Sequence, residues 1–214
     1  MLASGEATGF RMNVDGRKGS SFNNVGILAN DSMYVFVEVT VDPNGGNQPL
    51  LIQDSVLFTV NGIRQSVLLE AYGQDVNLYK GGVTITKDSI LTANRPYLIY
   101  DSLVIAKGVS LNIEKGATFY MHDKASLIVH GSMNALGTLD EPITFRGDRL
   151  DYILNDILPY DRTPGQWGGI TFKADSYGNV WDNVIVRNGT SGVYCELSTP
   201  DRPKIKINNS QITN

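Results

Sequence analysis

The sequence predicts an all-β fold in which a small N-terminal β-sandwich precedes a right-handed, three-sided parallel β-helix. Two observations carry this prediction. Apolar residues recur every eight positions between residues 103 and 145, and the chain before that stretch alternates apolar and polar residues between turn signals. A composition of 42% hydrophobic residues, with 22 glycines and 10 tyrosines, agrees with β structure. Because no amphipathic helical period appears in the N-terminal part, an all-β class is expected throughout.

The eight-residue repeat consists of apolar pairs separated by one residue. Its first members are Leu103, Leu111, Phe119, Leu127, Ala135 and Ile143, and the second members are Ile105, Ile113, Met121, Val129, Gly137 and Phe145. Alternate side chains of a strand point to opposite faces, so each pair is predicted to point inward. Three units make a coil of 24 residues, which stacks Leu127 on Leu103. The strong preference for right-handed crossovers predicts the handedness.

The repeat is broken between residues 147 and 166, a segment called the excursion below. Strands are expected to resume at residues 167–172, 184–186, 193–195 and 205–207. Within the excursion, residues 151–158 are predicted to form a short helix that caps the flank of the β-helix. The predicted inward set therefore includes Leu103, Ile105, Leu111, Ile113, Phe119, Met121, Leu127, Val129, Ile143, Phe145, Ile170, Phe172, Val184 and Val186.

The N-terminal part reads as strands at residues 10–14, 33–41, 50–60 and 63–69. Asn61-Gly62 between the last two predicts a hairpin with a type I′ turn. The polar stretch around Gly81-Gly82 forms a plausible junction. The predicted domains are therefore a β-sandwich over residues 1–85 and a β-helix over residues 86–214.

Charge and cysteine content exclude several classes of function. The net charge of −4, without Lys/Arg runs among aromatics, argues against nucleic acid as a partner. The single cysteine, Cys195, excludes an intramolecular disulfide and is predicted to be a buried apolar residue. No apolar run is long enough to span a membrane, and residues 1–6 lack a signal segment. Either the protein is cytosolic or a leader has been removed.

The excursion holds the richest chemistry of the chain. Its acids could bind calcium through their oxygen atoms, but they lack the spacing of a calcium-binding loop. No motif therefore supports a calcium site, and no cofactor or other metal is predicted. One interpretation is a structural flap held by Asp–Arg pairs, with Trp167 packed beneath it. The other is a sugar-binding ledge, because aromatic faces beside polar groups suit carbohydrate hydroxyls. The candidate ligand-binding residues are Arg149, Tyr160, Arg162, Gln166 and Trp167.

Catalytic residues are not predicted. The outward positions of the repeat, taken as Val104, Asn112, Tyr120, Ile128, Asn134 and Thr144, contain no acid, base or arginine. A lyase needs a base together with a cation that offsets the substrate's charge, and a glycoside hydrolase needs paired carboxylates. His122 and His130 each follow a strand and are interpreted as solvated corner residues. An enzyme is therefore the less favoured class.

Several segments resemble uncharacterised surface β-helix proteins of Bacteroidetes, which are similar in coil pattern to the pectate-lyase-like superfamily. They are residues 103–137, 142–151 and 164–170, together with residues 54–58 and 65–74, which look like the immunoglobulin-like module preceding the helix. The resemblance implies export, often as a lipoprotein anchored through a lipid outside this chain. It therefore implies an extracellular or outer-membrane location, and little about activity.

Three functions follow as hypotheses. The leading one is a non-catalytic cell-surface module for glycan binding or adhesion, with polysaccharide as its partner. The rivals are a polysaccharide lyase or glycoside hydrolase, and a purely structural stalk. The last residues, 205–214, still read as coil without a cap, so we expect further coils or self-association through this end.

Overall fold

The computed structural model describes residues 1–42, 45, 50–73, 75–150, 152–154, 158–198 and 202–213. The chain divides into two compact units, Met1–Asp75 and Val76–Asn214. Both units are built from β-strands, as the sequence predicted. Each unit is described by itself below.

The first unit contains two antiparallel sheets. Strands β1 (Phe10–Val14), β2 (Arg17–Gly19) and β3 (Val35–Val39) form a sheet in the order β2-β1-β3. Strands β4 (Leu50–Val60) and β5 (Ile63–Gly73) form a long hairpin. Asn61 and Gly62 both have positive φ, so the predicted turn residues do connect these strands. One buried cluster joins the two sheets, formed by Leu2, Phe10, Met12 and Val56.

Asp54 is a buried acid in this unit and ties its N-terminal loop to β4. Its carboxylate accepts hydrogen bonds from the N–H of Ser4 at 3.1 Å, the N–H of Ser55 at 2.7 Å and the hydroxyl of Thr8 at 2.7 Å. Burial raises the pKa of Asp54, but these bonds outweigh it and the net shift is downward. The carboxylate therefore stays charged and organises residues 4–8.

The second unit is a parallel β-solenoid of about five turns, confirming the predicted β-helix. Each turn contributes one strand to each of three parallel sheets. These have the orders β7-β10-β13-β18-β21, β8-β11-β14-β19-β22 and β6-β9-β12-β15-β20-β23. The strands, with β16 and β17 paired inside the excursion, are β6 (Asn77–Tyr79), β7 (Val83–Ile85), β8 (Ser89–Leu91), β9 (Tyr97–Ile99), β10 (Ser102–Ile105), β11 (Ser110–Ile113), β12 (Thr118–Met121), β13 (Ser126–Val129), β14 (Ser132–Leu136), β15 (Ile143–Gly147), β16 (Tyr152–Leu154), β17 (Leu158–Pro159), β18 (Gly169–Phe172), β19 (Asn179–Asp182), β20 (Val184–Val186), β21 (Val193–Cys195), β22 (Ile205–Asn208) and β23 (Gln211–Ile212).

The 24-residue coil is confirmed in one sheet and wrong in the other two. Leu103 pairs with Leu127 as predicted, but Leu111 pairs with Met133 and Phe119 with Phe145. The inward pair of β14 is therefore Met133 and Ala135, rather than Ala135 and Gly137. The cause is a tight corner at Gly131, where an added Cβ would lie 2.0 Å from the carbonyl oxygen of Val109. The turn between β14 and β15 restores the lost length.

The interior of the solenoid is apolar, and the whole predicted inward set of fourteen residues is buried in it. An aromatic column runs through successive coils. The ring centroids are 5.8 Å apart between Tyr79 and Tyr97, 4.8 Å between Tyr97 and Phe119, 4.6 Å between Phe119 and Phe145, and 6.2 Å between Phe145 and Trp181. Such offset or tilted ring pairs add to the burial energy. The column therefore fixes the stacking of the coils.

Two further predictions need correction, and the observed boundary differs from the predicted one. The described residues of the predicted helix at 151–158 form β16 and β17 instead; the others lie outside the described residues. Cys195 is exposed, although it lies in register with buried Phe172, because it belongs to the last described coil. The solenoid already begins at Asn77, so the predicted boundary between residues 85 and 86 falls within its first strands.

Candidate functional site

A concave surface of the solenoid with convergent polar groups lies at a corner between two of its sheets. This Tyr177 cleft has a volume of about 680 Å³ and is lined by Lys107, Ala174, Asp175, Tyr177, Leu197, Ser198 and Arg202. Lys107 comes from the turn after β10, residues 174–177 from the turn after β18, and Leu197, Ser198 and Arg202 from the chain after β21. Parallel strands stack coil on coil, so these three turns meet although they are far apart in sequence.

The turn that carries Tyr177 is held by buried polar side chains. Ser176 is fully buried and its hydroxyl donates to the carbonyl of Gly131 at 2.8 Å. Asn179 accepts from the N–H of Met133 at 2.7 Å and donates to the hydroxyl of Ser176 at 3.0 Å. The ammonium of Lys204 donates to the carbonyl of Lys173 at 2.6 Å. The floor of the cleft is therefore rigid, because three side chains fix the same turn.

Tyr177 contacts two cations through its ring and a serine through its hydroxyl. The guanidinium carbon of Arg202 lies 3.7 Å from the ring centroid, and Nζ of Lys204 lies 4.9 Å from it. The hydroxyl donates to Oγ of Ser198 at 2.7 Å. A guanidinium over an aromatic face is attracted by the ring quadrupole. Arg202 is thereby held at the mouth of the cleft although it is exposed.

Asp175 is the acid of the cleft, and two basic side chains are directed at it. Nδ1 of His130 lies 3.0 Å from its carboxylate, and Nζ of Lys107 lies 3.9 Å from it. Burial raises the pKa of Asp175, but the bond from His130 and the nearby positive charges outweigh it and lower the pKa overall. Beside it Lys173 forms an ion pair with Glu196, and that bond lowers the pKa of Glu196. Both acids are thus charged and paired at neutral pH.

The excursion, where the sequence placed its candidate ligand residues, is fastened to the solenoid by Asp161 and Asn188. The carboxylate of Asp161 lies 3.2 Å from guanidinium nitrogens of both Arg146 and Arg187. The buried amide of Asn188 donates to the carbonyls of Asp161 at 2.9 Å and Thr163 at 3.1 Å. These contacts are the Asp–Arg attachment of the flap interpretation.

Four of the five predicted site residues have solvent-accessible surface, and Trp167 is buried. Arg149 lies over the ring of Tyr160 at 4.1 Å, and Arg162 is exposed. Gln166 donates to the carbonyl of Thr163 at 2.8 Å. Trp167 is 1% exposed and its indole N–H donates to the carbonyl of Arg187 at 2.7 Å, so it offers no face to a ligand. Arg149 and Arg162 are exposed, and Tyr160 and Gln166 are half-buried.

Both histidines lie at corners, as the sequence indicated, but each is paired with an aspartate of the following coil. Nδ1 of His122 lies 2.6 Å from Oδ2 of Asp148, and its ring lies 4.1 Å from that of Tyr100. His130 pairs with Asp175 as described above. The prediction that both are solvated corner residues therefore lacked their partners, Asp148 and Asp175, which belong to the following coil.

Sequence reasoning missed the residues of the Tyr177 cleft. The candidates for catalysis were taken from the outward strand positions alone. Arg146 also belongs among those positions, because it is outward on β15 in register with Tyr120. The cleft residues lie in turns, whose position depends on the coil register. The available signal was the residue after each strand of one sheet: Ala106, His130, Lys173 and Glu196 follow β10, β13, β18 and β21.

The described residues contain neither a cluster of metal ligands nor a membrane-spanning helix. No three His, Cys, Asp or Glu side chains among them come together as a metal site. No helix in the described part of the chain has the length and apolarity to cross a bilayer.

Comparison with known proteins gives a relative that matches part of the chain. No family model matches the chain, and no solved structure matches it. The Drosophila melanogaster protein named "Protein bark beetle" is 31% identical over 104 residues, which are 46% of this chain. The chain spans 3% of the length of that protein. The parallel β-solenoid is confirmed, while a Bacteroidetes source, an immunoglobulin-like module and membership of the pectate-lyase-like superfamily stay predictions.

Proposed function

We propose that this protein is a non-catalytic cell-surface module that binds glycans through the Tyr177 cleft. A β-solenoid is consistent with carbohydrate-binding proteins. The observation that carries the proposal is the cleft itself, where an aromatic ring, two hydroxyls, a carboxylate and a guanidinium converge on a rigid turn. Sites for small polar ligands combine such apolar and polar groups in a concave surface of this size.

Each group of the cleft has a role in this proposal. Leu197 is 95% exposed and Tyr177 is half-buried, so Leu197 and the part of the Tyr177 ring that Arg202 leaves uncovered supply apolar surface for the C–H face of a sugar ring. Ser198, Asp175 and Arg202 supply acceptors and donors for its hydroxyls. Because the turn beneath is fixed, binding orders few side chains, and the entropic cost is small.

A glycan array followed by titration of the hits tests this proposal. Tyr177→Ala should reduce affinity about tenfold, which corresponds to the loss of one good aromatic contact. Tyr194→Ala is the matched control, because Tyr194 is 55% exposed and is not among the residues that line the cleft. Arg162→Ala probes the excursion, where Arg149, Tyr160 and Arg162 form the alternative ligand surface. Equal loss from Tyr177→Ala and Tyr194→Ala would remove the cleft from the proposal.

The alternative is a polysaccharide lyase or glycoside hydrolase, and one observation favours it. The His122–Asp148 pair orients an imidazole through Nδ1, an arrangement that leaves Nε2 to exchange protons. Incubation with uronate polymers separates the two functions. Release of unsaturated oligosaccharides that disappears in His122→Gln would establish a lyase, whereas binding without product supports the module.

The proposal also covers details of the fold, the location of the protein and its self-association. It includes a right-handed, three-sided helix, an immunoglobulin-like first unit and exposure at the cell surface. Self-association through the last described coil is also part of it, since Tyr194, Ile207 and Ile212 are exposed there. An experimental structure tests the first two, protease accessibility on intact cells the third, and sedimentation at several concentrations the fourth.

A further inference from the structure

The charges around the Tyr177 cleft differ in sign from those of the chain as a whole. The chain has a net charge of −4. At the cleft, Lys107 and Arg202 line the surface and Lys204 lies at its base, against Asp175 as the one acid among the lining residues that the structure describes. Glu196, which precedes the lining residue Leu197 in the chain, is neutralised by Lys173. A local cationic surface on an acidic protein indicates a ligand that carries negative charge.

The acid of the cleft is already satisfied by the protein. Asp175 accepts from His130 at 3.0 Å on one side and faces Lys107 at 3.9 Å on the other. The contact to Lys107 is long and its side chain is 79% exposed, so that ammonium can turn to another anion at little cost. The carboxylate therefore does not oppose an anionic ligand as strongly as an unpaired one would.

Arg202 is the best-placed cation. No carboxylate in the described part of the chain pairs with its guanidinium, which is instead held 3.7 Å above the Tyr177 ring. A guanidinium that is stacked keeps its planar N–H fork, which matches the paired oxygens of a carboxylate or a sulfate. The stack thus pre-orients the group while an aromatic surface and the Ser198 hydroxyl lie next to it.

We propose that the cleft recognises acidic polysaccharides, with Arg202 and Lys107 binding a carboxylate or sulfate group of the sugar. This inference rests on the proposed function, because it names the class of glycan that the same cleft takes. Tyr177, Leu197 and Ser198 then contact the sugar ring, and Lys204 supports the turn through its carbonyl contacts.

Three polymers with one backbone test the inference: dextran, carboxymethyl-dextran and dextran sulfate, titrated against the full chain at low and at moderate salt. We expect at least one acidic polymer to bind about tenfold more tightly than dextran, and the difference to shrink as salt rises. The carboxymethyl and sulfate arms show which anion is preferred. The double variant Lys107→Gln/Arg202→Gln should remove most of the difference.

The control is a pair of single variants with the same change in charge, Lys124→Gln and Arg202→Gln. Lys124→Gln removes an exposed cation at another corner, where its side chain is 89% exposed, and Arg202→Lys keeps the charge but loses the planar fork. Acidic polymers that bind no better than dextran would overturn the inference. So would equal loss from Lys124→Gln and Arg202→Gln, because it shows general attraction to charge. A wild-type chain that binds neutral glycans on the array but shows no acidic preference leaves the proposed function standing, whereas a chain that binds no glycan refutes the function itself.

Discussion

Replacing Phe119 by alanine tests the aromatic column that fixes the solenoid. Phe119 is fully buried, and its ring lies between those of Tyr97 at 4.8 Å and Phe145 at 4.6 Å. A buried Phe→Ala change costs about 3–5 kcal/mol through lost burial and a residual cavity. Two ring contacts are lost together, so we expect the upper part of this range, about 4–5 kcal/mol. Phe119→Leu keeps most of the volume and should cost about 1–2 kcal/mol.

Tryptophan fluorescence during urea unfolding is a suitable assay. Both tryptophans, Trp167 and Trp181, are buried in the solenoid unit, so the signal reports that unit and not residues 1–75. With a slope of about 2 kcal/mol per molar urea, Phe119→Ala should lower the midpoint by about 2 M. Leu139→Ala is the control, because Leu139 is 87% exposed and should change the free energy of unfolding by at most about 0.5 kcal/mol.

The result that refutes this reasoning is a small shift. If Phe119→Ala lowers the midpoint no more than Leu139→Ala, the ring is not in the core and the register of β12 is wrong. If the Phe119→Ala protein does not fold, Phe119→Leu is compared with Leu139→Ala. Phe119→Leu should still lower the free energy of unfolding more than Leu139→Ala does, by a smaller amount than Phe119→Ala.

Three further outcomes are expected. Asn188→Ala leaves carbonyls of the excursion without their donor, costs about 1–3 kcal/mol, and should speed proteolysis after Arg162 while sparing the first unit. Asp54→Ala should cost about as much and Asp54→Asn less, because the asparagine oxygen can still accept from backbone N–H groups; amide exchange at Ser55 measures both. The folded-state pKa of Asp54 and Asp175 is lowered, so their stabilisation is full above the ordinary pKa of about 4 and is lost as the pH falls through the lower folded-state value; acid titration of Tyr and Trp fluorescence checks this.

The sequence was sufficient to predict the solenoid because strand periodicity is a local property. Leu103 and Leu127 could be paired by counting, and the alternation predicted which side chains are buried. The register of β14 could not be predicted, because it depends on how closely Gly131 approaches the backbone of the preceding coil. Trp181 was missed since β19 follows a turn of irregular length.

The candidate site was less predictable for a related reason. Tyr177, Arg202 and Lys107 carry no spacing signal, and they meet only because three turns stack. The excursion was predicted as the site instead, because charged and aromatic residues are concentrated in that one segment. Asp161 and Asn188 instead attach the excursion to the solenoid. An attaching residue can be told from a ligand-binding one only when the contacts with the neighbouring coil are known.

Coil-by-coil stacking has a mechanical consequence. Each coil forms its main-chain hydrogen bonds with the coils before and after it, so a force applied at residue 213 loads the last coil first. A coil such as the one from Leu103 to Leu127 occupies about 4.8 Å along the stack but contains chain that extends to about 80 Å. Under tension the unit should lengthen in discrete steps, one coil at a time, and absorb work at each step before the next coil is disturbed.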